Sequence, residues 1–133
     1  MKKRWDLSHL YKSTSAWKKD KQNLESKMNS FKANLEQSFI VEEIPCYLRN
    51  LFDLYEIMEP VYCYPRRILD IKDNHEEAQG MMKEALAIFD HYLELENMIK
   101  KEIIHHREKI DLDCETFSYW AIWLKQVLKK ANY

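Results

Sequence analysis

The sequence predicts an all-α fold, and three observations predict it. Glycine occurs once and proline three times in 133 residues, too few turn formers for an all-β chain of many short strands. Apolar side chains recur at spacings of three and four in four separate stretches, which is the period of an amphipathic helix. Hydrophobic residues make up 46% and charged residues 32%, with 21 basic against 22 acidic groups, a balance that favours a buried core over disorder. The length suits one domain over residues 1–133, large enough to bury that core.

The elements follow in order. Residues 1–12 mix basic, aromatic and aliphatic side chains without a period and read as an N-terminal arm. The first helix is expected over about 15–36: a hydroxyl within Ser13-Thr14-Ser15 can accept from the unpaired first-turn N–H groups, and Trp17, Leu24, Met28, Phe31 and Leu35 form one stripe. The second is expected over about 43–69, opening at Glu42-Glu43 with Pro45, because proline is tolerated in a first turn and acids favour the positive helix end. Its stripe is Ile44, Leu48, Leu51, Phe52, Tyr55, Met58 and Tyr62. Pro60 lies inside it and Pro65 just beyond, each removing a backbone donor, so a kink is expected at Pro60 and a stop or second kink near Pro65.

Asp73-Asn74-His75-Glu76-Glu77 is the clearest start signal, with Asn74 placed to cap and Glu77 to reach back to it. The third helix, about 75–104, carries Ala78, Met81, Met82, Ala85, Phe89, Tyr92, Leu95, Ile99 and Ile103. A fourth, about 113–131, is expected after a cap at Asp111 or Asp113, with Phe117, Trp120, Leu124, Val127 and Leu128 on one face and Tyr119 and Trp123 widening it. Short connections between four such helices imply an antiparallel bundle or two stacked helical hairpins.

Catalytic and metal-binding patterns are missing. Cys46, Cys63 and Cys114 are odd in number and widely spaced, which indicates neither a disulfide framework nor a zinc knuckle and makes a reducing cytoplasm the expected setting. The start has no signal-peptide pattern, and no window approaches the ~18 apolar residues of a membrane helix. His75-Glu76-Glu77-Ala78-Gln79 begins like the HExxH zinc motif, but Gln79 stands where the second histidine must be. His105 and His106 point about 100° apart on a helix and do not chelate one ion readily. With Gly80 the single glycine, no phosphate-cradling loop can be built. No catalytic, cofactor-binding or metal-ligating residue is assigned.

Two features suggest surfaces instead. Residues 1–35 hold nine basic and three acidic groups, whereas 36–64 hold one basic and six acidic. A basic first helix with Lys18, Lys19, Lys21, Lys27 and Lys32 can meet a phosphate backbone or simply attract the acidic helix beside it. The chain also carries 17 Phe, Trp and Tyr residues, 13% of its length. Aromatic surface left over after core filling marks a docking face, for which the candidates are Trp5, Leu10, Tyr11, Tyr119 and Trp123.

The opening Arg4-Trp5-Asp6-Leu7-Ser8-His9-Leu10-Tyr11, leading into a helix near Ser15-Ala16-Trp17, resembles the start of the oligoendopeptidase F family of zinc metallopeptidases, where a WDLS-x-L-aromatic segment precedes a long helix. Tyr62-x-Tyr64, Asp70, Asp73-Asn74 and Glu77-Ala78-Gln79 resemble that family's tyrosine-rich helix and following turn, in order, over roughly residues 4–128. His75 departs from the proline common in that turn. The resemblance implies a helical region that packs over a catalytic domain and helps enclose its substrate channel. The family's zinc ligands and catalytic glutamate lie far downstream, and no residue here corresponds to them.

The function expected from these readings is that of a non-catalytic helical domain that works by protein–protein docking or self-association, with no cofactor of its own. Two alternatives are one part of an active zinc oligopeptidase whose catalytic domain lies on another segment, and a helical regulator that binds nucleic acid through its first helix.

Overall fold

The computed structural model describes Tyr11 and residues 13–130. Four helices, α1 (Thr14–Gln37), α2 (Ile44–Ile71), α3 (Glu76–His105) and α4 (Ala121–Lys130), account for most of them, and there is no strand among the described residues. The fold is all-α.

Side-chain pairs fix the helix directions. Trp17 meets Val61 and Phe31 meets Tyr47, so α1 and α2 run antiparallel. Tyr55 packs on Tyr92, and Tyr62 shares a groove with Leu86, so α2 and α3 are also antiparallel. Lys21 bonds Glu84 and Lys32 bonds Glu94, so α1 lies parallel to α3. Between them these three helices enclose the core, centred on the fully buried Trp17, Leu24, Met28, Ile44, Leu95, Ile99 and Ile103. The short α4 adds Leu124 and Val127 from one side.

Local chemistry explains the helix ends. Ser13 caps α1, its hydroxyl accepting from the Ala16 N–H at 3.2 Å. Before α3, residues Lys72 to Asn74 form the turn, and the cap is His75 rather than Asn74: its Nδ1 accepts from the Ala78 N–H at 3.1 Å. Gln79 ties turn to helix through a 2.9 Å bond from its amide to the Asp73 carbonyl. Glu76 and Glu77 occupy the first turn, where the helix dipole favours them.

Of the stop or second kink expected near Pro65, the stop does not occur: α2 runs on to Ile71, close to its expected end near 69, with both prolines inside it. Proline at 65 leaves the Val61 carbonyl without its usual partner four residues on. The indole N–H of the buried Trp17 donates to that carbonyl at 2.8 Å, so the break in the ladder is repaired from another helix.

The fourth helix is shorter than 113–131. Residues Glu115–Trp120 form a 3-10 segment and α-geometry begins at Ala121. Thr116, Phe117, Tyr119 and Trp120 are β-branched or aromatic and lose rotamer freedom in an α-helix. Ser118 bonds back to the Glu115 carbonyl. Neither aspartate caps it, because Asp111 instead accepts from the Asp113 N–H within the preceding turn.

The core lines also shift. In α3 the buried row passes through Ile88, leaving Phe89 on the surface, and in α2 it passes through Leu54, leaving Phe52 and Tyr55 there.

Candidate functional site: an apolar face on the second helical hairpin

The apolar side chains displaced from the core gather on one face. Phe52 and Tyr55 from α2 and Leu86, Phe89 and Leu93 from α3 are all exposed. They sit at helical spacing, Phe52 to Tyr55 at three and Leu86, Phe89 and Leu93 at three and four, so each set is a second stripe beside the buried one. The two stripes face the same way because the helices pack side by side, with α1 on the opposite side of the pair.

The face holds two hollows that share Tyr55. One, of about 370 Å³, lies between Tyr55, Met58, Glu59, Tyr62, Cys63, Leu86 and Phe89. The other, of about 230 Å³, is closed by Trp120 and Trp123, which lean over Leu51, Phe52, Tyr55 and Tyr92. Phe52 and Trp120 rings lie 6.4 Å apart, and Tyr55 and Tyr92 rings 5.7 Å apart. These are favourable tilted aromatic pairs. Thus the end of the 3-10 segment and the start of α4 roof one half of the hairpin face and leave the other half open.

The electrostatics of the face are acidic and mild. Burial, then the charge of Glu96, then Tyr55 push the Tyr92 hydroxyl up to about 12, so it stays protonated at neutral pH. Lys100 stands 6.0 Å from the Trp123 ring centroid, at the outer limit of a cation–π contact. No group of three or more histidine, cysteine or acidic side chains is placed to hold a metal among the described residues. The chemistry offered is apolar contact with a few phenol, thiol and carboxylate groups at the margin.

The sequence candidates separate. Trp5 and Leu10 lie outside the described residues. Tyr11 belongs to the core: it is 8% exposed, donates to Asp20 at 2.9 Å and stands edge-on to Tyr64 with centroids 5.4 Å apart. Burial, with that bond and the Asp20 charge, raises its hydroxyl well above the ordinary phenol range. Tyr119 is 80% exposed, and Trp123 is half-buried in the roof of the face. Phe52, Tyr55, Leu86, Phe89 and Leu93 were not singled out as surface residues by sequence reasoning. The available signal was the width of the apolar pattern, since Leu51 and Phe52 or Ile88 and Phe89, adjacent and about 100° apart on a helix, cannot all face one core.

The basic first helix is partly engaged within the molecule. Lys21, buried, bonds Glu84, and Lys32 bonds Glu94 at 2.8 Å. These contacts hold both ammonium groups above their ordinary pKa and draw Glu94 below its own. The acidic partner of α1 is therefore α3, not the acidic stretch of residues 36–64 that follows it in the sequence.

The histidine motifs resolve as local structure. His75 is a cap, and His106 ends α3, its ring 2.9 Å from the Glu102 carbonyl and stacked on Phe39 at 5.6 Å. No helix among the described residues is long and apolar enough to cross a membrane. Compared with known proteins, the chain matches no family model, no curated protein and no solved structure.

Proposed function

We propose that this chain is a non-catalytic helical domain that works by protein–protein docking through the open face of the α2/α3 hairpin. The observation that carries the reading is where the apolar surplus collects: five large side chains share one face outside a core that is already filled. A contiguous apolar face of this kind favours burial against another surface. The resemblance to the N-terminal region of oligoendopeptidase F-type peptidases supports the same reading, because such a region normally lies against a larger domain. On this view the residues that carry the resemblance are architectural, with Tyr64 in the core and Gln79 tying the turn. The setting is a reducing cytoplasm, where Cys46, Cys63 and Cys114 remain thiols.

The test uses an apolar dye at high protein dilution. ANS fluorescence rises on mixing with the wild-type protein, and the double substitution Leu86→Asp/Phe89→Ser removes the rise while helix content by circular dichroism holds. A wild-type protein that leaves ANS fluorescence unchanged would sink the docking reading.

A further inference from the structure

The α2/α3 face has two unlike halves, and they complement each other. On one half lie α4 and the end of the 3-10 segment before it, which present Ile122 and Tyr119, 77% and 80% exposed. On the other half Leu86 and Phe89 flank an open groove of about 370 Å³. One half is a ridge and the other a trough of similar apolar character. A chain cannot fold its own ridge into its own trough, because Trp120 and Trp123 are already fixed against α2 and α3.

Charge follows the same division. From Ile122 the outward line of α4 continues, at spacings of three and four, to Lys125 and Lys129, and α4 contains no acidic residue. The α2 edge of the trough carries Glu56 and Glu59, both exposed, with no basic residue between Arg49 and Arg66. Lys83 and Asp90 on the outer side of α3 offset each other.

We infer that the trough is filled by α4 of a second copy of this chain, in a two-fold symmetric dimer. The inference rests on the docking reading above and names its occupant. In an isologous pair each copy gives the same patch it receives: Tyr119 and Ile122 of one copy enter between Leu86, Phe89 and Tyr62 of the other, and the reverse. Tyr55, which lines both hollows, lies at the axis. Lys125 and Lys129 of each copy face Glu56 and Glu59 of its mate.

The area is sufficient. At about 200 Å² per large apolar side chain, the exposed parts of the ridge and trough residues amount to on the order of 600 Å² per copy, at the lower end of the ~600–1,000 Å² per partner of a standard stable interface. The two α4 helices then form a middle layer between two hairpin faces, and neither trough is left open.

The experiment combines sedimentation with site-directed cross-linking of the full chain. The wild-type protein sediments as a reversible dimer from micromolar concentrations upward. Ile122→Asp weakens the dimer about tenfold or more, as expected for a central interface residue, while its melting temperature at dilution stays that of the wild type. Glu59→Lys also weakens it, and Lys129→Glu in the same chain restores it.

Cys63 lines the trough, so in a Cys46→Ser/Cys114→Ser background an Ile122→Cys chain forms an intermolecular disulfide with Cys63 under mild oxidation. Trp120 packs at Phe52, and Cys63 lies eleven residues farther along α2, about 16 Å at 1.5 Å per residue. That exceeds the ~7 Å reach of a disulfide, so the bond cannot form within one chain. A dimer indifferent to Ile122→Asp, or no cross-link above the Cys63→Ser control, overturns the inference. If the wild type is monomeric throughout yet binds ANS in a Leu86- and Phe89-dependent way, the second copy is excluded and the docking face survives for a different protein. If it is monomeric and ANS-silent, both readings fall.

Discussion

Among single residues, Trp17 carries the most structural consequence. Its ring is fully buried, and its N–H supplies the Val61 carbonyl that Pro65 cannot. Trp17→Phe retains most of the apolar packing but leaves that carbonyl unpartnered, at a cost of about 1–3 kcal/mol for a buried group. In a Pro65→Ala background the new backbone N–H takes up the carbonyl, and Trp17→Phe then costs measurably less. A double-mutant cycle by urea denaturation reads this coupling; additivity of the two changes would contradict the repair. Tyr92 gives a second residue-level prediction. Its pKa of about 12 lies above the ordinary 10.0, so the contribution to stability is complete below pH 10 and is lost as pH rises toward 12. Wild-type protein therefore loses stability relative to Tyr92→Phe across that window, by at most about 1.4 kcal/mol per pH unit. Parallel urea midpoints for the two proteins would exclude it.

Within elements, the boundaries depend on caps and propensity more than on the apolar stripe. In α3, Gly80 lies in an ordinary helical stretch, and a methyl group there meets nothing within 4 Å. Gly80→Ala therefore raises stability by about 0.5–1 kcal/mol, through the entropy that glycine loses on becoming helical; thermal denaturation with an unchanged or lower midpoint would show a hidden constraint. The first three helices were legible in the sequence because their stripes are long and their starts carry a signal, a capping side chain at α1 and α3 and a first-turn proline at α2. The early part of the fourth was not. Glu115–Trp120 has an apolar pattern compatible with a helix, and pattern does not distinguish 3-10 from α when aromatic residues crowd one turn. The passage of α2 through Pro65 lies within the range expected, about 43–69, but the repair that makes it tolerable was hidden, since the donor lies 44 residues from its acceptor.

Over the whole molecule, order and orientation follow from three long helices joined by short turns, while the face that matters follows from what those helices leave uncovered. Sequence reading found the aromatic excess but assigned it partly to Tyr11, which the bundle uses internally. It counted Phe52, Tyr55 and Phe89 with the core because a stripe read one helix at a time has no neighbours to say which side is full. The roof over half of that face has a further property. At ten described residues α4 is shorter than the ~12–15 that hold a helix in isolation, so its order depends on Leu124 and Val127 staying docked. Local opening should therefore begin there, and amide hydrogens of residues 121–130 should exchange with solvent well before those at the centres of α2 and α3. If two copies clamp each other through α4, the exchange rate of those ten amides falls as protein concentration rises, while the rest of the bundle keeps its rates. Hydrogen–deuterium exchange at two concentrations thus measures the least stable helix and its assembly together.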